Sequence, residues 1–323
     1  MSDEHHPKPN ASADTSQQTE QTVTTASAKG EAERQTIKAS RVLIRRVMDH
    51  LHQRHLDAGA TETEIGFVNI VAHPTSSLPI LNYVTPRRNT AWVSGKHIAD
   101  GLVHLSQQSR PGVFYFPDLL FPPMFHKTLE GLGLENAQQT SIVAYDANNK
   151  TFIPPVPPTS ITIQPTNAQQ SMRIWWYIWR NHAYAVNTSS VDPLHLDYGM
   201  HQAKEGKQIN LIVRRYNTPI GAARITLKDK TAHIATTALL REFHTPMMSN
   251  LLLANCLHYA LLADNDVVFV SGLDDAQKEH TLALGFVDAG HIVCYAEAAT
   301  IVTNAEGQHG SLAQPVFITQ QRG

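Results

Sequence analysis

Histidine is the residue type here with the most latent chemistry: the chain carries 18 of them, and some are spaced as metal ligands would be. His50, His52 and His55 fall in one helical stretch, and His195, Asp197 and His201 in another. Side chains three or four residues apart on a helix face each other, so His52 with His55, and Asp197 with His201, each offer two ligands. Spacing supplies no third or fourth ligand and neither group is an HExxH, so solvated helix faces explain both and no metal is expected. A second dense stretch, Met172-Arg173-Ile174-Trp175-Trp176-Tyr177-Ile178-Trp179-Arg180, interleaves aromatics with arginine. Such side chains stack on bases. One short helix in a near-neutral chain argues instead for packing, with indoles left over for a domain interface or a substrate wall. Cys256 lies in an apolar run where burial raises a thiol pKa, so it is expected in the core rather than as a nucleophile.

Composition narrows the classes further. With 26 basic and 28 acidic residues among 323, the formal charge is −2, which gives no field to gather nucleic acid or an anionic membrane. Protonating all 18 histidines would carry that charge to +16, so the chain becomes basic in acid. Two cysteines, Cys256 and Cys294, make neither a disulfide framework nor a four-thiolate zinc site, which points to a reducing, cytoplasmic setting. The most apolar stretch, Leu251 to Val270, is broken by Asn255, His258, Asp264, Asn265 and Asp266, so no membrane span is expected. No Gly-x-Ser-x-Gly elbow, Walker lysine loop or Gly-x-Gly-x-x-Gly after a strand is present, which removes the hydrolase, P-loop and dinucleotide classes.

The elements that would position any site divide at a proline-rich segment, residues 151–159, expected to be an extended linker. Residues 1–36 are polar and poor in aliphatics, so a disordered tail without a signal sequence is expected. Residues 37–150 read as a helix over 40–58, strands near 64–72 and 79–85, a helix over 96–109, a strand at 113–116, a helix over 122–132 and a strand at 141–145. Residues 160–300 read as β-α-α-β-β-β-α-β-α-β, and residues 301–323 as a C-terminal extension. An antiparallel meander followed by βαβ units predicts a mixed twisted α/β sheet rather than a Rossmann or TIM layout. The helix after Pro246 is apolar nearly all round, which places it against the sheet beneath other helices.

Two stretches then carry a resemblance. Leu239-Leu240-Arg241-Glu242-Phe243-His244-Thr245-Pro246-Met247-Met248-Ser249 lines up with a strand end, an acidic-aromatic pair, a phosphate loop and the start of a central helix. Leu284-Gly285-Phe286 looks like the turn before a last strand. In both, the C-terminal half resembles the GCN5-related N-acetyltransferase family. Gly131-Leu132-Gly133-Leu134, before a strand ending Ala144-Tyr145-Asp146, suggests that the first half is a shortened second copy, giving two tandem folds of acyl-CoA N-acyltransferase type.

The resemblance implies acetyl transfer from acetyl-CoA, as co-substrate, to a small-molecule or peptide amine. Leu239, Leu240, Arg241, His244, Thr245, Met247, Met248 and Ser249 would then bind the cofactor, because free amides of a helix's first turn seat a pyrophosphate. His244, Met247 and Ser249 stand at the loop's motif positions, and a protonated His244 or Arg241 would face a phosphate. Without a ligand the same residues read as a Thr245 N-cap, a first-turn Pro246 and methionine core fillers. By analogy His233, on the strand before the loop, is the candidate base and Thr281, near the Leu-Gly-Phe turn, stands at the acid position. Trp175, Trp176 and Trp179 are candidate walls of the acceptor site. A catalytically inactive scaffold or acyl-CoA sensor on the same fold is the other reading.

Overall fold

The computed structural model describes residues 15–88, 90, 92–149, 152–188 and 190–297, with side chains of the first helix from residue 35 onward. The expected C-terminal extension and the first 14 residues of the expected tail lie outside them. The chain divides into two compact units, Met1–Val42 and Leu43–Gly323. Helix α1 runs Thr15–Asp57, so helical backbone begins within the stretch expected as a tail. Among the described residues, the strands belong to the second unit.

The stretch expected as one strand over 64–72 is a hairpin, β1 (Thr61–Ile65) and β2 (Val68–Ala72), turned by Gly66 at φ 57°. Left-handed backbone at Gly66 carries no Cβ penalty, and a residue there with a side chain would run into the His97 ring. There follow β3 (Tyr83–Pro86), α2 (Gly95–Gln107), β4 (Val113–Pro117), α3 (Met124–Glu130) and β5 (Leu134–Asp146). After the proline-rich segment come β6 (Ile161–Pro165), α4 (Gln169–Tyr184), α5 (Pro193–Lys204), β7 (Gln208–Arg215), β8 (Thr218–Lys228) and β9 (Thr231–Leu239). The chain then forms α6 (Pro246–Leu262), β10 (Val267–Ser271), α7 (Asp275–Ala283) and β11 (Val287–Glu297).

The eleven strands among the described residues form one sheet, in the order β1-β2-β3-β4-β11-β5-β10-β9-β8-β7-β6. Each half repeats one scheme. β2 pairs antiparallel with β3, which meets β4 in parallel across α2; β8 pairs antiparallel with β9, which meets β10 in parallel across α6. The last strand of each half is exchanged. β5 lies between β10 and β11, pairing Val267–Ser271 on one edge and Val287–Glu297 on the other, while β11 lies between β4 and β5.

Strand alternation sorts the sheet's two faces. Ile234, Val268, Val270, Val143 and Tyr145 point to α6, whose Leu251–Leu257 run is buried. The opposite face carries Phe269, Ile142 and Ala144 against Leu43, Ile44 and Val47 of α1. Ile212, Ala222 and Ala238 on that face pack against the α4 tryptophans. Helix starts are fixed by side-chain caps: Ser94 for α2, Asp192 for α5, Thr245 for α6 and an Asp274/Gln277 capping box for α7.

Because each half completes its sheet with the other's last strand, residues 43–150 and 160–297 expressed separately should lack cooperative thermal unfolding. Mixed, they should associate and regain it, which circular dichroism melts and size-exclusion chromatography would check. Independent two-state melts of both halves would contradict this arrangement.

Candidate functional site

The parallel neighbours β9 and β10 stay together for only three residue pairs, Thr231 to His233 against Val267 to Phe269. The cause lies two residues further on. Arg224 opposes Thr236 and Ile225 opposes Ile234, so Ala235 is an extra residue in β9, a bulge that bends the strand. Beyond it β9 still pairs with β8 as far as Leu239, and β10 with β5 as far as Ser271, so a gap opens between β9 and β10. β3 and β4 part in the same way after the single pair Val84–Phe114.

Both gaps open into one cavity of about 1030 Å³ on the α1 face of the sheet. His233, Ala235 and Ser271 line it at the β9/β10 gap, and Thr85, Tyr115 and Pro117 at the β3/β4 gap. Arg54 and His55 of α1 form its roof, and Trp176 with His195 and Tyr198 one wall. Trp176 stacks on His195 at 5.2 Å between ring centres.

His233 lies flat against Phe269, ring centres 4.3 Å apart, with its Nε2 3.1 Å from the Ser271 hydroxyl. Burial, and then the charges of His50 and Arg54, hold its pKa well below the usual histidine range, so the ring is neutral. His50, edge-on to the same phenyl ring, contacts the Thr226 hydroxyl at 2.8 Å from Nε2. Burial first and the Arg54 charge second push His50 down to about 3. The sequence gives no sign of this pairing: His50 and His233 are 183 residues apart and meet only through the packing of α1 on the sheet.

Of the residues expected to bind cofactor, none lines the cavity; they form the corner where β9 enters α6. Leu239 ends β9 in the core and its carbonyl lies 3.1 Å from His182 Nδ1. Leu240, partly buried, packs at the edge of the tryptophan cluster. Arg241, His244, Thr245 and Met247 are exposed, and Met248 is buried against the sheet. The first turn of α6 has few free amides. Pro246 has none, Met248 N–H donates to the Thr245 hydroxyl at 3.3 Å and Ser249 N–H to the Thr245 carbonyl, which leaves Met247.

The three tryptophans separate. Trp176 lines the cavity, Trp175 is fully buried with its indole N–H donating to the Ala223 carbonyl at 2.8 Å, and Trp179 packs edge-on behind Trp176. Thr281 is fully buried on α7 and its hydroxyl donates to the Gln277 carbonyl at 2.7 Å; it does not line the cavity.

The histidines weighed as metal ligands have other partners. His52 Nε2 sits 3.2 Å from Glu62, His55 Nδ1 2.8 Å from the Tyr83 hydroxyl and His201 Nε2 3.1 Å from Glu205. Among the described residues no group of three or more His, Cys, Asp or Glu side chains could hold a metal ion. Cys256 is buried and its thiol pKa is raised by burial, in line with a core role. Sequence reasoning missed Arg54, Tyr198, Arg224 and Ser271. Arg224 left a signal, a lone cation in the middle of an otherwise apolar strand, Ile220 to Ile225.

No protein-family model matches the chain, and no curated protein matches it. Solved structures do. The chain is similar to a GCN5-related N-acetyltransferase from Kribbella flavida, at 12% identity, a TM-score of 0.61, and coverage of 79% of this chain and 95% of that one. A GCN5-related N-acetyltransferase from Sphaerobacter thermophilus matches at 11% identity and a TM-score of 0.55, covering 72% of this chain and 81% of that one. The chain therefore has the GCN5-related N-acetyltransferase fold. Among the described residues no helix is long and apolar enough to cross a membrane.

The buried neutral histidines set an acid limit on stability. Both folded pKa values lie below the unfolded value of about 6.5, so the unfolded chain binds more protons once the pH falls beneath that point. Their contribution is complete above about pH 6.5 and is lost progressively as the pH falls below it, for His50 on the way down to about 3. Melting temperatures followed from pH 7 to pH 4 should fall, and His50→Gln should flatten the slope.

Proposed function

We propose that the protein is an N-acetyltransferase that passes the acetyl group of acetyl-CoA to a primary amine, on a small molecule or a peptide. The observation that carries this reading is the gap between β9 and β10 opening beside His233 into a large cavity. An extended pantetheine arm inserted there takes the place of the missing strand partner, pairing its amides with the open edge of β9 beyond the Ala235 bulge. The pyrophosphate then falls at the corner of Arg241, His244 and the α6 first turn, whose exposure and positive helix end support that placement. The two halves of the sheet, with their repeated strand scheme, are read as tandem copies of one ancestral unit.

In the transfer, the amine nitrogen attacks the thioester carbonyl, the new C–N bond forms, the C–S bond breaks and CoA leaves as thiolate. The proton shed by nitrogen goes to a neutral acceptor. His233 is neutral, lines the cavity and touches Ser271 Oγ, so it takes that proton directly or across the hydroxyl. Its low pKa makes it a modest base and a prompt donor back to the thiolate. Trp176 forms the apolar wall against which the acceptor lies.

Two measurements test this reading. CoA at 100 times its dissociation constant should add about 2.7 kcal/mol of stability in a thermal-shift titration, and Ser249→Trp, which fills the corner at the α6 start, should abolish the shift while leaving the melt cooperative. No shift at millimolar CoA with wild-type protein would favour the non-catalytic scaffold instead. If thiol release by DTNB shows turnover across an amine panel, His233→Gln should lower kcat by about 10²- to 10⁴-fold with little change in KM for acetyl-CoA.

A further inference from the structure

The end of β10 carries a hydroxyl that direct transfer from thioester to amine does not require. Ser271 is the last residue of that strand and pairs with Ile142 of β5. Strand alternation sets its side chain on the same face as Phe269, and it lines the cavity at the β9/β10 gap. The chain turns sharply after it. Gly272 takes a left-handed φ of 71°, its amide donates to the Ser141 carbonyl at 2.9 Å, and Asp274 caps α7. Ser271 therefore sits at a strand–turn–helix junction, held by β5 on one side and facing the gap on the other, without a Gly-x-Ser-x-Gly elbow.

A base stands within reach on the neighbouring strand. His233 Nε2 lies 3.1 Å from Ser271 Oγ, inside the range of a hydrogen-bonded nucleophile and its base. The Ser271 hydroxyl donates to that nitrogen when the imidazole carries its own proton on Nδ1. Two neighbours fix the ring. Phe269 lies parallel to it, 1° between planes and 4.3 Å between centres, and His50 meets it edge-on at 84° and 6.0 Å. His50 is itself tied to the Thr226 hydroxyl at 2.8 Å, and Thr226 faces His233 in the β8/β9 register. Nucleophile, base and orienting groups thus meet beside the open edge of β9, where main-chain N–H groups turned away from β8 can polarise a carbonyl lying in the gap.

We propose that Ser271 and His233 form a nucleophile–base dyad that takes the acyl group of a thioester or activated ester onto Ser271 and, where no amine is bound, passes it to water. This rests on the acyltransfer reading for the thioester, and on the contact and the gap alone for the dyad. Ser271 Oγ attacks the carbonyl carbon as its proton passes to His233 Nε2. The C–O bond forms, the C–S bond breaks, and the imidazolium returns the proton to the leaving thiolate. Water then attacks the acyl-serine carbonyl and gives a proton to His233; the ester C–O bond breaks, and Ser271 Oγ recovers a proton from the imidazolium. The sum is thioester plus water to carboxylic acid plus thiol. Both steps start from a neutral ring, the form in which burial keeps His233. An amine that attacks the thioester directly bypasses Ser271, so hydrolysis is the reaction of this site when the acceptor is missing.

The test uses the full chain without amine and two acyl donors, acetyl-CoA and p-nitrophenyl acetate. After acid quenching, peptide mass spectrometry should place an acetyl group on Ser271 of the wild-type protein, and release of p-nitrophenolate should show a burst of about one equivalent per chain. Ser271→Ala should lose adduct and burst together, and Ser271→Cys should restore the adduct as a thioester. His233→Gln should slow acylation by about 10²-fold or more. Ser271 left unlabelled by both donors overturns the proposal, and so does labelling at an unchanged rate in a His233→Gln variant whose circular dichroism matches wild type. The two readings fail differently. Amine acetylation with Ser271 unlabelled removes the dyad and keeps acyltransfer; labelling by the phenyl ester but not by acetyl-CoA, with no CoA-induced shift in melting, keeps the dyad and removes acyltransfer. Labelling of the wild-type chain decides the question even if a variant does not fold.

Discussion

The architecture depends on the exchange of last strands. β5 supplies the strand between β10 and β11, and β11 supplies the strand between β4 and β5, so neither half closes its own sheet. Backbone groups along β5 and β11 find their partners only in this arrangement, and leaving such groups buried and unpaired costs far more than a side-chain contact returns. The exchange also places the two parallel junctions, β3/β4 and β9/β10, on one continuous sheet whose common face α1 and α4 cover. A single cavity reaching both junctions is a consequence of that geometry.

Within it, chemistry follows from local departures from regularity. The Ala235 bulge ends the β9/β10 ladder at the level of His233, so the histidine that would otherwise be one more core side chain faces an opening. Burial keeps its ring neutral, and the Phe269 stack fixes the ring plane. The same face of β8 carries Arg224, Thr226 and Lys228 in alternation, a polar stripe facing the roof helix. Lys228 meets Gln53 and Asp229, and Arg224 meets Asn210 and the Trp175 ring.

Much of the fold was legible in the residues. Hydrophobic alternation located β7, β8, β9 and β10, and the apolar girdle of Leu251 to Leu257 placed α6 inside, as found. Residues 152–158 of the proline-rich stretch form neither helix nor strand, with Ile153 and Val156 exposed. The hairpin at Gly66 reads from sequence as one strand because the two-residue turn, Gly66-Phe67, lacks the polar pair that marks most tight hairpins. The site was legible only in part. Of the residues that line the cavity, the resemblance points to His233 and Trp176 by position, whereas Arg54, 170 residues before Arg224, carries no local signal at all.

The sequence by itself determined most of the helices and strands, the buried placing of α6 and the Thr245 cap, because those depend on spacing and on neighbours within a few residues. Tertiary structure alone decided that the halves trade their final strands, that one bulged residue opens the sheet, and that α1 lays His50 and Arg54 along β8. Those outcomes turn on backbone pairing and on charges brought together from far apart in the chain, and no periodicity along a single strand or helix records which distant partner will arrive.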